Sequence, residues 1–245
     1  EGGNITSWRS LLEISISESR SKNNLGWNYI QISTIEKGEP RCRTVGFRGF
    51  LGEGINSNVA HDGYVSMCDG LACTIKMCTD SRSKKVVDTS LLMAEMVWWF
   101  PERNEQYRIR GHLRFIGSNG RLNHDNDEND EITSQIEKTA RKKAWEDIGD
   151  QVRKFFFQKS LPGMDFQEES DVRHQKEDDT GEGKDVHDGG SGSDGVPPPP
   201  ENFLLMLLDP TNVDYLRLYK TSQYRQIDSR TQPPPCTWTS RRVNP

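Results

Sequence analysis

Between Gln106 and Ile116, the residues Tyr107, Ile109, Leu113 and Phe115 alternate with polar side chains, among them Arg108, Arg110 and Arg114. A period of two sends one set of side chains to one face and the second set to the other. Such a segment folds as a long strand of an antiparallel sheet with one buried and one wet face. It excludes an all-helical chain and requires the rest of the sequence to supply neighbouring strands.

Those neighbours are visible. Trp27–Ile32 has strand chemistry, Glu36–Pro40 is a turn, and Arg41–Leu51 is the returning strand of a hairpin. Leu71–Thr79 and Leu91–Phe100 are further apolar strands, and Pro101–Asn104 breaks the chain before the long strand begins. Phe203–Leu208, Val213–Leu218 and Thr237–Val243 follow towards the C-terminus. Two stretches have helical spacing instead. Ser7–Lys22 places Trp8, Leu11, Leu12 and Ile16 on one face, with Ser7 as its cap. Thr133–Gln158 has Ile136, Ala140, Ala144, Ile148, Val152 and Phe155/Phe156 as its apolar side, and Leu161-Pro162-Gly163 ends it. The fold class is therefore α+β with a sheet-dominated core, and no internal repeat is present.

Charge is unevenly spread. Asp165–Pro200 holds 11 acidic and three basic residues, a local charge of −8, in a Gly/Ser-rich background ending in four prolines. Asp125–Glu131 adds five acidic residues. The whole chain is at −5, so everything outside these two stretches carries +8 and suits an anionic ligand. A composition like that of 164–199 cannot offset the entropy of ordering. We expect 164–199 to be a disordered insertion in a single domain made of 5–163 and 200–245, because the strands on either side are too few for separate cores.

No run approaches the roughly 20 apolar residues that span a bilayer, and Glu1-Gly2-Gly3-Asn4 has no secretory-signal pattern. The five cysteines (Cys42, Cys68, Cys73, Cys78, Cys236) form no CxxC pair, which fits reduced thiols in a cytoplasmic compartment. The histidines lack metal-ligand spacing. Asp125–Asp130 departs from a calcium loop, because Asp130 stands where glycine is needed and Ile136 where a bidentate glutamate is needed. No metal is expected. Arg108, Arg110 and Arg114 share one face, but a wet sheet face explains them more simply than nucleic acid.

Two basic groups carry the chemistry. Thr79-Asp80-Ser81-Arg82-Ser83-Lys84-Lys85 stands where a strand ends, and offers the hydroxyls, amides and cations that a phosphate monoester requires. Arg43-Thr44-Val45-Gly46-Phe47-Arg48 lies on the hairpin. Charge-assisted hydrogen bonds to phosphate contribute about 1.5–3 kcal/mol each. Residues 43 and 48 fall on opposite faces of a regular strand, so one ligand meets both only if a bulge intervenes or one of them sits beyond the strand.

With Arg43-Thr44-Val45 followed by Arg48-Gly49-Phe50, then Thr79-Asp80 and Ser83-Lys84-Lys85, the chain resembles the FMN-binding pyridoxamine 5'-phosphate oxidase family, in its branch with an RTVxxRGF strand. Trp98–Pro101 with Glu105–Gly111, Arg141 with Trp145, and the ending from Pro200 through Trp238 to Pro245 extend the likeness, which is loose over 53–70 and absent over 164–199. The resemblance implies a split β-barrel, usually a homodimer with FMN at the subunit interface. It implies that Arg43, Arg48, Ser83, Lys84 and Lys85 hold the phosphate side, that Thr44 and Val45 belong to the cofactor-binding strand, that Thr79 approaches the ring or ribityl portion, and that Gln106 hydrogen-bonds the flavin. Lys84 stands where the family commonly has arginine, which keeps the charge and loses the planar fork.

The family's Arg-x-His substrate arrangement corresponds here to Tyr224–Arg230, which contains no histidine and leaves Arg225 as an anion contact. The implied function is an FMN-dependent oxidoreductase acting on an unidentified small molecule. The alternatives are a non-catalytic flavin-binding module and a pyridoxamine 5'-phosphate oxidase with an altered substrate clamp.

Overall fold

The computed structural model describes residues 7–22, 24, 26–53, 71–87, 93–122, 131–158, 196–219, 222–231 and 237–245. Helix α1 (Ser7–Ser21) buries Trp8, Leu12 and Ile16 and half-buries Leu11. Strands β1 (Tyr29–Glu36) and β2 (Glu39–Gly46) form the hairpin. Lys37 and Gly38 make its two-residue turn, and both have positive φ, 53° and 83°. That combination matches the right-handed twist of the flanking strands.

Strand β3 (Ile75–Asp80) leads into a short helix, α2 (Lys84–Val87). The strand expected from Leu71 starts later, because 71–73 form a helical turn. Then come β4 (Met93–Phe100), β5 (Glu105–Gly117) and β6 (Gly120–Leu122). The expected helix over Thr133–Gln158 is two helices, α3 (Glu131–Asp147) and α4 (Asp150–Phe156). Gly149 is extended, at φ −68° and ψ 155°, and this resets the helical phase. Ala144, Trp145 and Ile148 are accordingly buried, whereas Val152 and Phe155 are exposed.

Three strands finish the chain: β7 (Phe203–Leu218), β8 (Gln223–Arg230) and β9 (Trp238–Val243). Phe203–Leu208 and Val213–Leu218, expected as separate strands, are one. The register shifts at Arg110/Gly111 opposite Pro210, where the ladder can spare the missing proline N–H. Gly111 is required there, because a Cβ would lie 2.2 Å from the Asp209 carbonyl oxygen. Strand β8 was not expected. Its inward residues are Gln226 and Asp228, buried by mutual hydrogen bonds rather than by apolar alternation.

The antiparallel sheet runs β2-β1-β4-β5-β7-β8-β9, with β3 on β7 and β6 on β5. Strand β7 divides one edge between two partners: Phe203–Leu208 pair with β3, and Asn212–Leu218 with β8. The sheet thus splits while wrapping one main core that includes Ile32, Met96, Trp98, Tyr107, Phe115 and Met206. A second core, including Ile116, Trp145, Phe203 and Leu205, lies on the opposite face under α3. Trp145 Nε1 donates to the Pro197 carbonyl at 2.6 Å, and Arg141 donates to the carbonyls of Pro200 and Phe203 at 2.9 Å. The chain re-enters the barrel pinned to α3. Of the insertion expected to be disordered at 164–199, residues 164–195 lie outside the described residues, as do the acidic loop at 125–130 and the turn at Leu161-Pro162-Gly163, whereas 196–199 are described and Pro197 accepts the Trp145 bond.

Candidate functional site

The two basic groups meet at one edge of the barrel. Register places Arg43 opposite Ile32, so its side chain shares the inward face with Ile30, Ile32 and Val45. Arg43 Nη1 donates to Thr34 Oγ1 at 2.7 Å, and its Nη2 pairs with the Glu36 carboxylate. Lys85 reaches the same charge field from the first turn of α2. Its ammonium donates to Ser83 Oγ at 3.1 Å. Burial and then the neighbouring Arg43 push the Lys85 ammonium down to about 8, while Asp80 and Glu36 pull it back up. Two cations crowded in partly buried surroundings are what an incoming anion would relieve. Thr44 is exposed on the other side of β2, Val45 is a core residue, and Lys84 projects into solvent beside the pair.

Asp80 organises the turn between β3 and α2. Its carboxylate accepts from the Arg82 backbone amide at 2.8 Å, from the Arg82 guanidinium through Nε and Nη2, and from Asn202 Nδ2 at 2.9 Å. Burial opposes its ionisation, but the hydrogen bonds from Arg82 and Asn202 outweigh that and hold the carboxyl below its ordinary range. Arg82 also donates to the Gln158 carbonyl at 2.7 Å. Asp80 and Arg82 are thus consumed in shaping the loop, and Ser83, Lys84 and Lys85 are what the loop presents.

Arg48 sits beyond β2, the second of the two geometries that the spacing allowed. Its guanidinium folds back over Gly46, where an added Cβ would be 3.3 Å from Nη2. It also reaches the Cys78 thiol, which burial pushes up to about 12 against the pull of Arg48. Cys78 lies on the second-core face of β3. Arg43 and Arg48 therefore flank the sheet edge from opposite sides. Thr79 is 4% exposed on the inward face of β3, beside Ile75 and Met77. Its Oγ1 and the Arg48 Nε are buried with no hydrogen-bond partner among the described residues. Buried polar atoms are normally satisfied, so the Thr79 hydroxyl, on the same inward face as Arg43, is the candidate of the two for a ligand contact. An oxygen-rich, anionic flavin phosphate with a polar ring fits that donor set.

Gln106 is on the other face of the same sheet. It is half-buried opposite Trp99 and Leu216, in line with Arg225. Arg225 is held by Asp214 in a two-point bond, Nε to Oδ1 at 3.0 Å and Nη2 to Oδ2 at 2.8 Å. Asp214 also pairs with Arg108 at 2.8 Å, Arg110 pairs with Glu95 at 2.9 Å, and Arg114 with Glu137 at 3.3 Å. Each arginine noted on this face faces an acid. Trp98 and Phe100 are core, and Trp99 is exposed. Among the described residues, no group of three or more His, Cys, Asp or Glu could hold a metal ion, and no helix is long and apolar enough to cross a membrane. Cys42 and Cys78 are free thiols.

Sequence reasoning missed Thr34 and Glu36. The available signal was their place in the alternation Ile30, Ile32, Thr34, Glu36, which puts two polar groups on an inward face.

The sequence model of the pyridoxamine 5'-phosphate oxidase FMN-binding domain matches residues 5–117. Over its full length the chain is 30% identical to pyridoxine/pyridoxamine 5'-phosphate oxidase 2 of Arabidopsis thaliana, with 100% of both chains covered. The chain belongs to the pyridoxamine 5'-phosphate oxidase family. A solved relative, the pyridoxamine 5'-phosphate oxidase-related FMN-binding protein of Nostoc punctiforme, is 28% identical with a TM-score of 0.68, covering 98% of this chain and 99% of that one. PhzG of Burkholderia lata, at 13% identity and a TM-score of 0.58 over 96% of this chain and 91% of that one, shares the fold. The split barrel described above is the fold of this family.

Proposed function

We propose that this member of the pyridoxamine 5'-phosphate oxidase family binds FMN and acts as a flavin-dependent oxidoreductase on a small molecule. The carrying observation is the convergence of Arg43, Ser83 and Lys85 at one rim, next to the orphaned Thr79 hydroxyl. In this reading Arg43, Ser83, Lys84 and Lys85 hold the phosphate, Arg48 closes the site from the far side of the strand end, and Thr79 contacts the ribityl chain or ring edge. The Arabidopsis relative's name, pyridoxine/pyridoxamine 5'-phosphate oxidase 2, supports the redox assignment. FMN, when bound, supplies the hydride chemistry; the chain's task is to anchor, orient and shield it.

Gln106 shares no face with Arg43 and Thr79 within one chain, so its flavin contact comes from a second copy. A homodimer would bring the outward row of Trp99, Gln106 and Leu216 of one protomer against the phosphate rim of its partner. Exposed Trp99, Leu218 and Tyr29 on that side support such a contact.

A second reading, a flavin-binding module without turnover, is favoured by one observation. Arg225 is spent on Asp214, and its stretch has no histidine to complete a substrate clamp. One titration series separates the readings. Flavin binding with peroxide released on adding pyridoxamine or pyridoxine phosphate supports oxidase activity on that substrate. Binding with turnover only by NAD(P)H supports a different oxidoreductase, and binding without either supports the module. Absence of FMN binding at high micromolar concentration would sink the site assignment.

A further inference from the structure

Glu36 ends β1 on the inward face and is 8% exposed. Its carboxylate takes Nη2 of Arg43 while Thr34 takes Nη1, and it contributes to the field that keeps Lys85 protonated. The other carboxylate in this field, Asp80, is already occupied by Arg82 and Asn202. Glu36 is thus the acid engaged by Arg43, placed where a bound phosphate would also reach for that guanidinium.

We propose that Glu36 is the counter-ion of the phosphate subsite: it neutralises Arg43 in the free protein and competes with a phosphate dianion for it. The proposal rests on the assignment of Arg43 and Lys85 to the flavin phosphate. Two effects act in the same direction. A carboxylate beside a bound dianion is a like-charge juxtaposition, which is costly where water is scarce. The free protein also gains less from an arriving phosphate, because Arg43 already has a partner. The consequence is a higher threshold for occupancy by any phosphate. Inorganic phosphate, which has only this subsite to use, is a poor occupant, whereas a flavin phosphate adds ring and ribityl contacts and fills the site.

The test measures FMN and riboflavin affinities and competition by inorganic phosphate for the full chain and for Glu36→Gln. Glutamine keeps an oxygen that accepts from Arg43 and removes the charge. Glu36→Gln is expected to bind FMN and inorganic phosphate about tenfold more tightly with riboflavin affinity unchanged. Thr34→Val, which loosens Arg43 without changing charge, is expected to show no such gain. Glu36→Asp keeps a retracted carboxylate and guards against misfolding of the glutamine variant; its gain should be smaller, about two- to threefold. An FMN-to-riboflavin preference that is unchanged or reduced in Glu36→Gln, or in Glu36→Asp should the former not fold, overturns the proposal. A wild-type chain that binds riboflavin as tightly as FMN would instead overturn the phosphate-site assignment on which it rests.

Discussion

The backbone amide of Arg48 donates to the carbonyl of Lys76 at 2.8 Å, and the Lys76 amide returns a bond of 2.8 Å to Gly49. This reciprocal pair ties the segment after β2 to the start of β3. Residues from two sequence motifs about 30 positions apart therefore sit at one strand end. The chain's proposed phosphate site depends on this tie.

Gly49 adopts φ +88°, a conformation that side chains strain to reach, and a Cβ there would fall 2.2 Å from Glu53 Oε2. That oxygen accepts the Phe50 amide at 3.0 Å. Gly49→Ala is expected to lower stability by about 1–2 kcal/mol in urea unfolding, and to weaken FMN binding by shifting Arg48. Wild-type behaviour in both measurements would mean that the tie tolerates another backbone geometry.

Thr79 offers a sharper separation of stability from binding. Its buried Oγ1 lacks a partner among the described residues, so the hydroxyl is a cost in the free protein. Thr79→Val, nearly equal in volume, is expected to melt at the same or a higher temperature without ligand and yet bind FMN more weakly. A fall in melting temperature of the ligand-free variant would show that the hydroxyl is satisfied within the protein.

For Lys85 the sign of the pH dependence follows from a folded value near 8 against an ordinary 10.5. Between these values the folded chain binds fewer protons than the unfolded one, so this group's contribution makes the ligand-free protein more stable as pH rises through that window. Bound phosphate favours the ammonium and reverses the preference. FMN affinity is therefore expected to fall above pH 8, by no more than about tenfold per pH unit for one linked proton. Isothermal titration in two buffers of different ionisation enthalpy would read the proton uptake. Lys85→Arg should flatten the profile, and a profile that stays equally steep would assign the titration elsewhere.

Glu105 is fully buried and joins α1 to the barrel. It accepts from Ser15 Oγ at 2.6 Å, Tyr215 OH at 2.7 Å and Arg103 Nε at 2.8 Å. Tyr107 OH joins through Ser15 at 2.9 Å, and burial holds the Tyr107 and Tyr215 phenols above their usual range. Glu105→Gln leaves Arg103 short of one counter-charge and is expected to cost about 2–3 kcal/mol, read as a lower urea midpoint. Because the network lies in the core rather than at the phosphate rim, FMN affinity of the folded fraction should not change.

Much of the barrel was legible because strand periodicity is local. The alternation through Tyr107, Ile109, Leu113 and Phe115 needs no knowledge of the partner strand, and all four are buried as that pattern requires. The hairpin turn at Lys37-Gly38 and the α1 face at Trp8, Leu12 and Ile16 were readable for the same reason. Strand β8 was not, because its buried residues Gln226 and Asp228 are polar and are satisfied by each other, by Tyr224 and by exposed Ser240 of β9, which leaves no apolar signal. The break at Gly149 was hidden by helix-forming residues on both sides.

By itself, the sequence determined the α+β class, the order of the strands' apolar patterns and the two basic motifs with their phosphate-compatible chemistry, since all of these are short-range properties. Only the tertiary structure decided which charges meet. It set Glu36 on Arg43, Asp214 on Arg225, and Arg48 across the strand end from Arg43. It also put Gln106 on the face opposite Thr79. The first two depend on hairpin registers, and the placing of Gln106 opposite Thr79 depends on registers between segments far apart in the chain, such as β5 with β7. A shift of one residue in any such register would exchange every inward side chain for an outward one.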